Sequence, residues 1–133
     1  MPPEARAVRE WLVKAQNDLR TARLTFDADP PVFDTGCFHC QQTAEKALKS
    51  LLQWHGAAIP KVHSLGPLLD LCPPLPPAFA ALRPDLLALS YYAVAARYPA
   101  AREPDQKDAE QALGTADKLF QLVLQHLPPE VHP

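Results

Sequence analysis

The prolines set the first limit on this chain. There are 16 of them in 133 residues, and each fixes φ and removes a backbone donor. Eight of them form the pairs Pro30-Pro31, Pro73-Pro74, Pro76-Pro77 and Pro128-Pro129. Proline pairs set between periodic segments punctuate a fold and do not imply disorder. Between them the apolar residues recur every three or four positions, as on one face of a helix. From about Glu4 to Phe26 the stripe is Val8, Leu12, Ala15, Leu19, Ala22 and Phe26, with Trp11 beside it, and Asp29-Pro30-Pro31 ends it.

A second helix is expected from Thr35, a plausible N-cap, to Gly56, a plausible C-cap. Its inward face is Cys37, Cys40, Ala44, Leu48 and Leu51, widened by Ala47 and Leu52. Ser64 is placed to cap a short helix over Leu65 to Cys72. Pro84 fits a first turn and not a helix interior. We therefore expect a turn or short helix up to Arg83, then a helix from about Pro84 to Ala96. RYPAAREPD reads as a loop, and a last helix runs from about Asp105 to His126. Its inward residues are Ala109, Ala112, Leu113, Ala116, Phe120 and Val123, with Leu127 just beyond. A single isoleucine and no alternating β-branched run leave no candidate strand. The expected fold is all-α: an up-and-down bundle of four main helices plus a short one. Residues 1–133 are taken as one domain with a core over about 8–127.

Charge narrows the function classes. A formal net charge of −2 and a pI near 6.2 do not suit a protein built to hold duplex DNA, though they leave room for a local basic stripe. No run is apolar enough to span a bilayer and no secretory leader is visible, so no membrane role is expected. Three cysteines do not suggest a disulfide framework. The expected setting is the reduced cytoplasm.

Cys37-Phe38-His39-Cys40 has the C-x-x-C spacing of zinc ligands. A structural zinc site needs four ligands, and the sequence offers Cys72, His39, His55 and His63 as possible others, without a second paired motif. On a helix the two cysteines lie one turn apart on the apolar stripe. Buried core cysteines are the expectation, with no metal and no cofactor. Gln42, Glu45, Lys46 and Lys49 share another face, which reads as a solvated surface with i,i+4 pairs Gln42–Lys46 and Glu45–Lys49. His63 reads as a turn residue or, alternatively, a phosphate ligand or proton shuttle. Arg97 complements a helix C-terminus or forks onto phosphate. Tyr91 and Tyr92 read as part core, part interface. The chain has no G-x-S-x-G, Walker loop, G-x-G-x-x-G or H-E-x-x-H.

Four pieces in order carry a resemblance. They are Trp11-Leu12-x-Lys14-Ala15-x-x-Asp18-Leu19-x-x-Ala22, then Cys37-Phe38-x-x-Gln41-Gln42-x-Ala44-Glu45-Lys46-Ala47-Leu48-Lys49, then Pro60-x-x-His63-x-Leu65 and Arg97-Tyr98-Pro99. This series resembles the HEPN domain, the helical domain of higher eukaryotic and prokaryotic nucleotide-binding proteins. The resemblance implies a bundle of four or five helices, frequently a homodimer. It also implies a partner in a minimal nucleotidyltransferase, often as a toxin–antitoxin-like pair. Ribonuclease members carry R-x(4–6)-H. Here none of Arg6, Arg9, Arg20, Arg23, Arg83, Arg97 or Arg102 has a histidine at that spacing.

The expectation is therefore a non-catalytic binding protein for a nucleotidyltransferase, a nucleotide or both. Lys46, Lys49, His63, Arg97 and Tyr98 would hold phosphate and base, supported by Gln42 and Glu45. The alternative is a degenerate metal-independent ribonuclease using His63 and Arg97. A third reading has Glu45 and Lys46 pairing with Arg97 or His63 to lock the bundle.

Overall fold

A computed structural model describes residues 1–95, 98–99 and 102–133. Arg97, one of the expected site residues, lies outside them. All the regular structure among the described residues is helical. The order is α1 (Pro3–Asp27), α2 (Phe33–Trp54), α3 (Leu65–Leu71), α4 (Pro77–Ala81), α5 (Arg83–Ser90), α6 (Tyr92–Ala95) and α7 (Gln106–His126), closed by a short 3₁₀ turn over Pro129–Val131.

Cross-contacts give the chain directions. Asp18 of α1 meets Lys46 of α2, while Trp11 meets Lys49, so α1 and α2 are antiparallel. Phe79 packs on His126 at 6.0 Å between ring centroids, and Tyr92 shares a cleft with Asp108, so α4 to α6 run against α7. His55 lies 5.6 Å from His126, so α2 and α7 are parallel. The result is the expected up-and-down bundle, with its third arm assembled from α4, α5 and α6. That arm is more broken than the expected helix over 84–96. Pro84 opens α5 within its first turn as predicted, but the ladder also tightens at Tyr91. Tyr91 N–H donates to Ala88 O at 3.4 Å and Val94 N–H to Tyr91 O at 3.3 Å, both 3₁₀-type bonds.

The punctuation residues act as expected at one end of α2 and not at the other. Gly56 has φ +73°, and its N–H donates to Gln53 O while Ala57 N–H donates to Leu52 O. These paired bonds make a Schellman ending, which favours glycine at that position. At the start, α2 begins at Phe33, two residues before Thr35, with no side-chain cap. Ser64 likewise provides no side-chain cap to α3; instead Leu65 N–H is taken by Ser90 Oγ of α5 at 2.8 Å. Among the described residues a complete capping box is found at α7, Asp105 with Asp108.

The core joins Val8, Leu12, Ala15, Leu19 and Ala22 of α1 to Cys37, Cys40, Ala44, Leu48 and Leu51 of α2 and to Ala112, Ala116, Phe120 and Val123 of α7. Leu119 also lies inside, while Leu113 is only partly buried. A fully buried leucine contributes about 1.5–3 kcal/mol by transfer from water. The centre of the bundle is α2, which touches α1, α3, α5, α6 and α7. No described helix is long and apolar enough to cross a membrane.

Candidate functional site

The covering of α2 by five neighbours decides the fate of its polar residues. The Gln42–Lys49 stripe is not a solvated face. Glu45 and Lys49 are 4% and 6% exposed. The i,i+4 pair forms as expected, Lys49 Nζ to Glu45 Oε2 at 3.0 Å, but inside the protein. Lys49 Nζ also stands 5.7 Å from the centroid of the Trp11 ring, a cation–π contact with α1. A buried charge that is paired and hydrogen-bonded on both sides avoids the cost of an isolated one. Lys49 therefore does not present a free ammonium at the surface.

Glu45 has a second partner. His63 Nδ1 lies 3.1 Å and 3.2 Å from the two Glu45 oxygens. An ionised carboxylate only accepts, so Nδ1 is the donor in this contact. The His63 side chain is 69% exposed, which leaves Nε2 open to solvent. Gln41, fully buried, fixes the segment by donating to His63 O at 2.8 Å and to Glu45 Oε1 at 3.4 Å. Gln42 donates to Gln41 Oε1 at 2.8 Å, and the expected Gln42–Lys46 pair does not form because the Lys46 ammonium donates to Asp18. Gln41 and Gln42 thus hold the loop that carries His63.

Lys46 belongs to a separate network. Its ammonium donates to Asp18 Oδ2, and His39 Nδ1 meets Asp18 Oδ1 at 2.8 Å. Thr43 Oγ1 donates to His39 O at 2.9 Å. The two networks repeat one scheme, in which an inward carboxylate takes one lysine and one histidine. The pairing of Glu45 with His63 matches the bundle-locking reading; Lys46 takes Asp18 instead of Arg97 or His63. Sequence reasoning did not single out Asp18 or His39 as polar partners. A sign was present: Asp18 stands between Ala15 and Ala22 on the apolar stripe of α1, where an acid needs a partner.

The C-x-x-C pair is in the core. Cys37 and Cys40 are fully buried. Burial, helped by the Asp108 charge, pushes the Cys37 thiol up to about 12, and burial raises Cys40 as well. Burial thus favours the neutral thiol at both positions. Among the described residues no group of three or more His, Cys, Asp or Glu side chains is placed to hold a metal ion.

Tyr98 is exposed and stands beyond the end of α6. Leu87, Tyr91, Val94 and Tyr98 are each more than half exposed. Their spacing of four, three and four is that of one helix face in the sequence, but Leu87 lies on α5, Tyr91 at the break, Val94 on α6 and Tyr98 beyond α6. The structure does not join this line to Lys46 or Lys49, which lie within the α1–α2 contact.

Comparisons with known proteins agree with this architecture. A family model described as the HEPN domain matches residues 8–127. The crystal structure of TT1696 from Thermus thermophilus has a TM-score of 0.79 and 30% identity, over 92% of this chain and 99% of that one. ST0689, described as an archaeal HEPN homologue, has a TM-score of 0.70 and 28% identity, over 90% of this chain and 96% of that one. Comparison with curated protein sequences found no match. The matched span takes in α2, most of α1 and every member of the two carboxylate networks, and the chain belongs to the HEPN domain family.

Proposed function

We propose that this HEPN chain is a non-catalytic binding protein that acts as a single domain and as a homodimer. It would serve a nucleotidyltransferase, a nucleotide or both. The observation that carries the reading is the exposed line Leu87, Tyr91, Val94 and Tyr98. A line without charged members suits a second copy of itself about a two-fold axis. Tyrosines of this kind supply much of the energy at interfaces. Tyr98 lies next to Arg97 in sequence, so pairing along this line would draw the Arg97-Tyr98-Pro99 segments of two copies together. Arg97 and Tyr98 are then the groups offered to phosphate and base, with Lys46, paired with Asp18, and His63 as separate contacts on the α1–α2 side. Lys49 and Glu45 support His63 from within.

The test is affinity capture from an extract of the source cells with the wild-type chain and with Arg97→Ala. Recovery of a nucleotidyltransferase at fixed stoichiometry, or of bound nucleotide lost in the variant, is the expected result. Recovery of neither would sink the reading.

One observation favours a second reading, a metal-independent ribonuclease. Glu45 orients an imidazole whose Nε2 faces solvent, the arrangement a general base uses. This predicts RNA cleavage that persists in EDTA and disappears in His63→Ala. Intact RNA after incubation with the purified wild-type chain rules it out.

A further inference from the structure

At the far end of α1 from the Glu45 network, a cleft of about 280 Å³ opens between α1, α2 and α7. Its walls are Phe26 and Phe33, with ring centroids 6.4 Å apart and planes tilted by 41°, and its apolar floor includes Leu113. Phe26 can lie against α2 because position 36 is glycine. A Cβ there would meet Phe26 Cε1 at 2.1 Å. The polar groups of the lining are Asp27, Glu110 and Gln106, with no lysine or arginine.

The charge of this cleft is unbalanced. Asp27 is the last residue of α1, a turn without any basic residue. An acid at that end works against the helix dipole, where a cation is favoured. Glu110 is met by a neutral donor, Gln106 Nε2 at 3.2 Å. Lys107, three positions before Glu110, is exposed, does not line the cleft and is in no ion pair among the described residues. Two other nearby basic chains are committed elsewhere. Arg23 pairs with Asp117 at 3.2 Å and Arg102 with Asp108 at 3.1 Å. Among the described residues neither Asp27 nor Glu110 is in an ion pair.

We propose that this cleft docks the arginine side chain of a partner polypeptide. A guanidinium is planar, stacks on aromatic faces and forks onto carboxylates, whereas an ammonium does only part of this. Its three-carbon stem suits the apolar floor. The volume is at or below the low end for small-molecule sites, about 300–1,000 Å³, and holds one long side chain better than a larger ligand. The proposal commits to complementary charge: aromatic walls, two carboxylates and a helix C-terminus all favour the same planar cation.

The test is titration of the full ¹⁵N-labelled chain, followed by amide shifts, with N-acetyl-arginine methylamide as probe. Saturable shifts at Asp27, Phe33, Gln106 and Glu110 are expected. The neutral counterpart, N-acetyl-citrulline methylamide, is expected to bind at least about tenfold more weakly, the loss of one charge-assisted contact. The exposed double change Asp27→Asn, Glu110→Gln is expected to remove this preference while leaving the helical circular dichroism intact. Equal binding of the citrulline probe overturns the proposal, as does the absence of saturable shifts. Tighter binding of agmatine than of capped arginine overturns it as well, by assigning the cleft to a free amine.

Discussion

At the scale of single residues, the stability of the α2 polar groups rests on pairing. Glu45 holds Lys49 and His63 at once, and both Glu45 and Lys49 are out of water. Removing the carboxylate strands a buried ammonium. Glu45→Ala is expected to cost about 3–5 kcal/mol, measured as the fall in unfolding free energy by urea titration. Lys46→Ala leaves Asp18 still paired with His39 near the surface, and about 1 kcal/mol is expected. If instead both changes cost the same small amount, the inward network is not a structural lock. A pH effect arises elsewhere, at His55. Partial burial, and then the charge of His126, hold its pKa below the ordinary 6.5. A histidine with a depressed folded pKa takes up its proton first in the unfolded state. Its contribution is therefore fully present above 6.5 and is lost as pH falls below that value toward the depressed one. His55→Gln is expected to flatten this part of the stability–pH curve and leave the curve above neutrality unchanged. Two parallel curves would show that His55 does not titrate in this way.

At the scale of elements, local chemistry and tertiary contact share the work unequally. Gly56 ends α2 in a left-handed conformation with open space around it, since no atom lies within 4 Å of a built Cβ. Gly56→Ala therefore tests conformation alone, and a loss of about 1 kcal/mol is expected in thermal or urea unfolding. An unchanged midpoint would mean the Schellman ending is not held in solution. This glycine was legible because its conformation follows from its own backbone. Pro84 was legible for the same reason. Thr35 and Ser64 were not: both are good cap residues in isolation, yet α2 starts earlier and the first amide of α3 is satisfied by Ser90 from another helix. A cap chosen from a distant element leaves no mark at the helix start.

At the scale of the whole molecule, the exposed line on α5 and α6 governs the expected assembly. A dimer formed there is disrupted by one charge at its middle. The wild-type chain is expected to elute at twice 14.7 kDa in size exclusion with light scattering, and Val94→Asp at the monomer mass with its helical spectrum retained. Desolvating an unpaired carboxylate at an apolar contact is costly enough to reverse such an equilibrium. A wild-type monomer at high concentration would refute this face as a dimer surface. The same experiment leaves the arginine cleft between Phe26 and Phe33 untouched, because that cleft lies on other elements.

Read alone, the amino-acid sequence determined which segments are helical, which face of each is apolar and where most of the breaks fall. It also carried enough of the Trp11, Gln41–Lys49, His63 and Arg97-Tyr98-Pro99 pattern to point to the family. Those properties follow from periods of three and four residues and from proline and glycine geometry, which neighbours along the chain settle. Only the tertiary structure decided that Lys49 turns inward, that Lys46 takes Asp18, and that Glu45 orients His63 from eighteen positions away. Periodicity says that a polar face exists; it does not say whether water or another helix will cover it. For α2, ringed by five other helices, that covering turned an apparently solvated stripe into two charge networks, each built on an inward carboxylate.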